Sequence, residues 1–72
     1  MIRVGIIEDM PDYRNVLEVL INHTQGMTVA FSAGSAEEAM PLFTSTQPSI
    51  CIVDINLPGQ PGHQVVRWIR QQ

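Results

Sequence analysis

Three carboxylates stand at the ends of two apolar segments. Residues 2–7 (IRVGII) run directly into Glu8 and Asp9, and a second apolar segment, residues 49–54 (SICIVD), ends on Asp54. Short continuous apolar runs rich in β-branched side chains are typical of strands buried on both faces of a parallel sheet. Ligands of open α/β sheets bind just beyond the carboxyl ends of such strands. The acids are therefore candidates for a binding edge, although Asp also closes strands simply by hydrogen-bonding the following turn.

These acids could hold a hard divalent cation. Carboxylates on neighbouring parallel strands, about 4.8 Å apart, raise one another's pKa unless a cation compensates their charge. Mg²⁺ prefers oxygen ligands and is typically held by one or two carboxylates plus phosphate oxygens. A carboxylate beside such an ion can act as a nucleophile and form an aspartyl phosphate. The alternative is a surface cluster of turn acids that binds nothing.

The segments between the acids predict helices. Pro11 suits the first turn of a helix, and apolar side chains then recur with helical spacing; they are Tyr13, Val16, Leu17, Leu20 and Ile21. Ser35 and Glu38 form a capping box that begins a second helix, in which Pro41 predicts a kink or an early end. A third helix is indicated by Gly62, Val65, Val66 and Ile69.

The second strand differs from the other two. Residues 27–32 (MTVAFS) alternate apolar and polar side chains, which is typical of a half-exposed strand at the edge of a sheet. Strand, helix, strand, helix, strand, helix predicts an α/β fold with a parallel sheet. With the alternating strand at the edge and the first strand central, the strand order is 2-1-3, as in flavodoxin-like sheets. The first and third strands are then neighbours, and all three acids reach the same crevice.

Composition bounds the remaining possibilities. The chain has 72 residues, 44% of them hydrophobic and 15% charged, which predicts one small globular domain. The formal net charge of −3 and the absence of Lys leave no basic surface for nucleic acid. No apolar run approaches the roughly 20 residues of a membrane span, and the N-terminus lacks the apolar core of a signal peptide, so we expect a cytoplasmic protein without membrane contact. The lone Cys51 is expected in the core.

The motifs resemble those of a known family, the receiver domains of two-component response regulators. The resemblance runs from about Arg3 to Arg70, and it includes the acidic pair after the first strand, Asp54 after the third, and the following Leu57, Pro58 and Gly62. It implies a flavodoxin-like (CheY-like) fold. It also implies that Asp54 accepts a phosphoryl group from a sensor histidine kinase and that the domain regulates an output partner. The domain would then be a signalling switch and not an enzyme.

The resemblance also implies the ligands of a Mg²⁺ ion. They would be the side chains of Asp9 and Asp54, the backbone carbonyl of Asn56, and Glu8 through a bound water. Asp is the commoner residue of that family at the position of Glu8, and the longer side chain could alter metal affinity. No glycine-rich loop follows the first strand, so no nucleotide cofactor is expected.

The chain also departs from that family. Receiver domains have five strands, with a Ser or Thr ending the fourth and a Lys ending the fifth, so residues 1–72 are expected to form a partial receiver domain. Its third strand would be an unpaired apolar edge, which predicts that copies of the chain form a homo-oligomer by pairing or swapping elements.

Two other functions remain open. One is a self-associating half-domain that is an interaction module without phosphorylation chemistry. The other is a dehalogenase-like phosphatase. That class has an Asp-x-Asp motif, and Asn56 stands here in place of the second Asp, which argues against this function. Trp68, Arg67 and Arg70 are expected on the side of the last helix that faces away from the core, where the aromatic ring could mark a contact surface. His23 and His63 are given no chemical role.

Overall fold

Three strands and three helices alternate along the chain. The computed structural model describes residues 1–54, 57, 59 and 61–72. The strands are β1 (Ile2–Ile7), β2 (Met27–Ala33) and β3 (Ile50–Val53), and the helices are α1 (Pro11–Asn22), α2 (Ala36–Thr46) and α3 (Gly62–Arg70). The predicted order of elements is confirmed. The predicted bounds of β1 are confirmed to the residue, whereas β3 is shorter than the predicted 49–54.

The sheet is parallel, with the strand order β2-β1-β3. This order confirms the prediction that the first strand is central and that the alternating strand lies at an edge. The prediction that β2 is half-exposed is wrong, because each of its residues is buried or half-buried. A register shift after Val29 places Phe31 on the face opposite Met27 and Val29. In register, Ile6 of β1 lies between Ser32 of β2 and Ile52 of β3. The carboxyl ends of β1 and β3 are therefore neighbours at one edge of the sheet.

Helix α2 and helix α3 cover one face of the sheet. Their shared core consists of seven buried residues: Ile7, Phe31, Ala33, Ala36, Ala39, Leu57 and Val65. The half-buried Cys51, a free thiol, packs against this core, as predicted. Trp68 also belongs to this side of the molecule, because its ring meets that of Phe43 edge to face at a centroid distance of 5.5 Å. The expectation that Trp68 faces away from the core is therefore wrong.

Helix α1 covers the opposite face. The core on this side has three buried residues, Val4, Ile6 and Ile21, with Leu17 packed against them. Of the apolar side chains predicted to face the core from α1, the structure buries only Ile21 and half-buries Leu17, whereas the other three are exposed: Tyr13, Val16 and Leu20. The predicted helix is confirmed, but only part of its apolar set faces the core.

Strand β3 is also less buried than its sequence predicts. Ile50 and Ile52 are exposed, whereas Cys51 and Val53 point to the opposite face and are half-buried. The continuous apolar run predicted burial on both faces, but only the face under α2 and α3 is covered. The prediction that β3 is an edge strand agrees with the sheet order.

Local signals fix the helix ends. Helix α1 begins at Pro11, as predicted. The Ser35 hydroxyl accepts a hydrogen bond from the Glu38 amide (3.2 Å) and thereby caps α2, while the Glu38 carboxylate accepts from the Gly34 amide (3.2 Å). Helix α2 continues beyond Pro41 to Thr46, so the proline does not end it. Among the described residues, no helix has the length and apolarity that crossing a membrane requires.

Candidate functional site

The ends of β1 and β3 hold the site acids in place through backbone hydrogen bonds. The amide of Glu8 donates to the carbonyl of Ala33 on β2 (3.0 Å), and the amide of Asp54 donates to the carbonyl of Ile7 on β1 (2.9 Å). Each acid thus continues the ladder of the sheet by one residue. The position of its Cα is set by the register of the strands and not by a mobile loop.

The three predicted acids converge. One carboxylate oxygen each from Glu8, Asp9 and Asp54 lies within 4.8 Å of the other two. The crevice predicted from strand order is therefore present in the described part of the chain. The fourth predicted ligand, the backbone carbonyl of Asn56, lies outside the described residues.

Ionisation of all three acids of the cluster together is electrostatically unfavourable. The pKa of Glu8 is raised above its ordinary value, first by burial of its carboxyl group and next by a hydrogen bond with Asp54. A hydrogen bond with Asp9 raises this pKa further, whereas the Met10 amide, which donates to the Glu8 carboxylate (3.3 Å), lowers it. Like charges close together disfavour ionisation, and a cation between them removes that cost.

This donor set fits a hard divalent cation. All three groups offer carboxylate oxygens, which are the ligands that Mg²⁺ and Ca²⁺ prefer, and no sulfur or imidazole belongs to the cluster. The sequence contains no Lys that could balance these charges. Acidic clusters also occur on proteins without any ion, so the fit establishes compatibility with a cation and not its presence.

Two residues that sequence reasoning gave no site role support the cluster. The Arg14 guanidinium of α1 donates to the backbone carbonyl of Glu8 (2.9 Å), which ties the start of α1 to the end of β1. Leu57, quoted earlier only as part of a motif, is buried in the core beneath α2 and α3 and anchors the chain shortly after Asp54. The sequence does not predict this hydrogen bond of Arg14, because its partner is a backbone atom outside α1.

A depression elsewhere on the surface lies away from the acids. It has a volume of about 400 Å³ and is lined by Phe43, Thr44, Gln47, Pro48 and Gln72. None of these residues is titratable, and none belongs to the acidic cluster. We assign it no role in the chemistry of the site.

Comparison with known proteins places this arrangement in a family. The profile of the response regulator receiver domain matches residues 4–72. A probable C4-dicarboxylate response regulator, DctR of Bacillus subtilis, is 36% identical over 70 residues, which are 97% of this chain and 31% of that protein. A protein-glutamate methylesterase/protein-glutamine glutaminase of Burkholderia thailandensis is 33% identical over 93% of this chain and 19% of its own length. The chain thus spans about a third or less of these relatives.

Solved structures agree on the fold. The response regulator domain of Thermotoga maritima CheB superposes with a TM-score of 0.92 at 27% identity, covering 99% of this chain and 53% of that one. A LuxR-family two-component response regulator from Aurantimonas sp. SI85-9A1 gives a TM-score of 0.88 at 36% identity, covering 96% of this chain and 49% of that one. The resemblance inferred from the acids and their strands is confirmed: the chain belongs to the family of response regulator receiver domains.

Proposed function

We propose that this chain serves in phosphorelay signalling and accepts a phosphoryl group on Asp54 from a sensor histidine kinase. The observation that supports the proposal is the convergence of Glu8, Asp9 and Asp54, with carboxylate oxygens within 4.8 Å of one another at the ends of adjacent strands. Membership of the receiver domain family supplies the reaction class. The cluster supplies a nucleophile with a site for a cation beside it.

The transfer is a nucleophilic displacement at phosphorus. A carboxylate oxygen of Asp54 donates a lone pair to the phosphorus atom, and a new O–P bond forms. The P–N bond to the donor imidazole breaks, its electron pair stays on the ring nitrogen, and that nitrogen takes up a proton. Asp54 must be ionised for this step. Carboxylate oxygens of Glu8, Asp9 and Asp54 lie within 4.8 Å of one another, so a cation held among them would favour the ionised form of Asp54.

Mg²⁺ is the proposed cofactor. Asp9 and Asp54 would hold it through their side chains, Asn56 through its backbone carbonyl, and Glu8 through a water molecule. When bound, the ion would neutralise charge on the carboxylates and on the phosphoryl oxygens. The protein's own part is to hold Asp54 at the end of β3, where its backbone is fixed to β1.

The same proposal covers the wider role of the domain. Residues 1–72 would be the N-terminal portion of a receiver domain that acts in the cytoplasm as a switch and not as an enzyme. Phosphorylation adds charge at the sheet edge and changes the surface offered to an output partner. Direct contact with nucleic acid is not part of the proposal, since the chain carries a formal charge of −3.

Metal binding is tested by calorimetric titration of the protein with Mg²⁺. We expect saturable binding that Asp9→Asn and Asp54→Asn each weaken by about tenfold or more, because each removes a charged oxygen ligand. The matched control is Asp12→Asn, which removes an acid from the first turn of α1 outside the cluster. Equal binding by all four proteins would contradict the proposed ligands.

Phosphorylation is tested by treating the protein with a small acyl phosphate and Mg²⁺, followed by intact-mass analysis. We expect a gain of one phosphoryl group in the protein and in Asp12→Asn, and no gain in Asp54→Asn. Labelling should be slow, because the chain offers no Lys to contact the phosphoryl group. Mg²⁺ binding without any labelling would reject the phosphoacceptor role and favour the second candidate.

The second candidate function is self-association without phosphorylation chemistry. The observation that favours it is β3, an edge strand with Ile50 and Ile52 exposed. An apolar edge strand is prone to pair with another chain. Measurement of the oligomeric state across a range of concentrations tests this candidate independently of Mg²⁺ and of phosphorylation.

A further inference from the structure

The backbone amide and carbonyl of Glu8 both have partners on other elements. The amide donates to the carbonyl of Ala33 on β2 (3.0 Å). The carbonyl accepts from the guanidinium of the half-buried Arg14 on α1 (2.9 Å). This carbonyl belongs to the peptide group that joins Glu8 to Asp9, and a peptide group is planar, so it turns as one unit. The hydrogen bond from Arg14 therefore fixes how the two acids are oriented relative to each other.

The convergence of the acids depends on the orientation of this peptide group. Asp54 is placed separately, because its amide donates to the Ile7 carbonyl at the end of β1. Asp9 lies in the connection between β1 and α1, outside both elements. If the peptide between Glu8 and Asp9 turned, the Asp9 side chain would move relative to Asp54. The carboxylate oxygens, now within 4.8 Å of one another, would then separate.

Gly34, directly after β2, leaves the room that the Arg14 guanidinium occupies. A Cβ at this position would lie 2.9 Å from Nη1 of Arg14, the nitrogen that donates to the Glu8 carbonyl. Heavy atoms that are not bonded to each other pack best at about 3.5–4.0 Å, so a side chain here would displace the guanidinium. The φ angle of Gly34 lies outside the left-handed region, so its backbone conformation does not require glycine. The glycine is explained by its contact with Arg14.

We propose that Arg14 is a positioning residue of the cation site and that Gly34 keeps Arg14 in place. Arg14 acts through the peptide group between Glu8 and Asp9 and does not contact the cation itself. A guanidinium suits this task, because it is always charged and hydrogen bonds from charged donors are stronger than those from neutral ones. The inference rests on the proposed function, since it concerns the Mg²⁺ ligands, and it adds two residues outside that ligand set.

The direction of the change in Mg²⁺ affinity separates positioning from charge. Arg14 places a positive charge beside the backbone of Glu8, and like charges repel, so this charge by itself weakens cation binding. If charge were the whole effect, removal of the guanidinium would tighten Mg²⁺ binding. If Arg14 positions the acids, its removal weakens binding. Arg14→Met distinguishes the two, because methionine keeps a long apolar stem and offers neither the charge nor the donor.

Calorimetric titration with Mg²⁺ tests the proposal. We expect Arg14→Met to raise the dissociation constant about tenfold, as loss of a group that orients metal ligands typically does. Gly34→Ala should raise it about threefold, because the guanidinium is displaced but still present. The matched control is Arg3→Met: Arg3, near the other end of β1, also donates to backbone carbonyls, those of Thr46 and Gln47. Arg3→Met should leave the dissociation constant unchanged, and urea denaturation shows that each variant is folded.

Two further measurements link Gly34 to Arg14 and show the effect without metal. Once Arg14→Met has removed the guanidinium, Gly34→Ala should have no additional effect on Mg²⁺ binding. In the metal-free protein, the amide resonance of Asp9, which belongs to the same peptide group as the Glu8 carbonyl, should shift in Arg14→Met and in Gly34→Ala but not in Arg3→Met. If Arg14→Met does not fold, Gly34→Ala alone decides, since its new methyl group meets only the flexible end of the Arg14 side chain.

The outcomes separate this inference from the proposed function. Unchanged or tighter Mg²⁺ binding by Arg14→Met, in a protein whose binding Asp54→Asn weakens, would overturn the positioning role and leave the proposed ligands standing. Equal effects of Gly34→Ala with and without Arg14 would overturn the part assigned to Gly34. Absence of Mg²⁺ binding by the original protein would overturn the proposed cation site and the positioning role together.

Discussion

The two faces of the sheet use the same three strands but are covered very differently. Helices α2 and α3 bury seven residues on one face, including Phe31 and Val65. On the other face, the described part of the chain has one helix, α1, and three buried residues. Along the strands the apolar side chains are divided between both faces, so the difference does not come from the strand sequences. Within the described residues, the difference comes from the number of helices that pack on each face, and β3 shows this most clearly.

The contrast has a consequence for stability. Burying an aliphatic side chain contributes free energy roughly in proportion to the apolar area removed from water. The same side chain on adjacent strands therefore contributes differently according to whether a helix lies over it. Ile6 and Ile52 are such a pair, since they are neighbours in register on the same face, with 0% and 38% of their surfaces exposed.

The largest expected effect is the loss of stability on truncation of Ile6. Equal losses at Ile6 and Ile52 would show that cover by a helix does not determine what these side chains contribute. Ile6→Ala should lower the free energy of unfolding by about 2–5 kcal/mol, because it removes buried volume and leaves a cavity under α1. Ile52→Ala should cost less than half of that loss, since its side chain is already partly hydrated. Urea denaturation at a concentration where the protein is monomeric measures both values. Ile6→Val, with an expected loss of about 0.5–1.5 kcal/mol, provides a milder substitution if Ile6→Ala does not fold.

The next effect tests how tightly the doubly covered face is packed. A Cβ added to Gly5 would overlap the ring of Phe31 and lie 3.1 Å from the sulfur of Cys51. Since Phe31 belongs to the core beneath α2 and α3, Gly5→Ala should destabilise the fold by about 1–3 kcal/mol through overpacking. Thermal and urea denaturation give the loss of stability.

A double-mutant cycle identifies the cause of that loss. Phe31→Leu removes the ring atoms that the new methyl group would meet, so Gly5→Ala should cost less in the Phe31→Leu background than in the original protein. An equal cost in both backgrounds would mean that the loss of stability does not come from contact between the new methyl group and the Phe31 ring.

Local patterns predicted the elements well because local chemistry determines them. Strand β1 is a β-branched run that ends at two acids, and its predicted bounds match the structure. Pro11 and Ser35 mark the beginnings of α1 and α2 because their effects on the backbone need no distant partner. The strand order was also predicted correctly, but the alternation in β2 does not reflect exposure: a register shift after Val29 turns Phe31 to the sheet face opposite Met27 and Val29.

Predictions of burial were weaker because burial depends on other elements. The spacing of Val16 and Leu20 places them on an apolar side of the helix. It cannot show whether another element packs against that side, and in the structure both residues are exposed. The same limit applies to Ile50 and Ile52 on β3. Trp68 was placed on the wrong side because its edge-to-face contact with Phe43 joins two helices that are distant in sequence.

The candidate site was predictable in part for a topological reason. Acids that follow adjacent parallel strands must meet, so the convergence of Glu8, Asp9 and Asp54 followed from the strand order alone. The hydrogen bond from Arg14 to the Glu8 carbonyl did not follow, because it depends on the angle at which α1 leaves the sheet. The assignment of these residues as phosphoacceptor and metal ligands stays a prediction.

The smallest expected effect concerns the edge where the two faces meet. Packing stabilises both faces, whereas the acidic cluster opposes folding when its members ionise, since the pKa of Glu8 is raised by burial and by its hydrogen bond with Asp54. A folded-state pKa above the unfolded value, about 4.3 for Glu, means that the folded protein binds more protons in that range. The stability should therefore fall as the pH rises from the unfolded pKa of Glu8 through its higher folded pKa.

Replacing Glu8 by Gln removes this titration while keeping an oxygen that can accept from the Met10 amide. Glu8→Gln should be as stable as the original protein below pH 4 and more stable at pH 7, by less than about 1 kcal/mol because the group is partly solvated. Urea denaturation across pH measures the difference, with Glu18→Gln as the control for loss of an acid outside the cluster. Saturating Mg²⁺ should narrow or reverse the gap at pH 7, because the cation would stabilise the original protein more than the variant. If the free energy of unfolding changed with pH in the same way for the original protein and for Glu8→Gln, ionisation of Glu8 would have no cost for folding. The acidic edge would then not oppose folding.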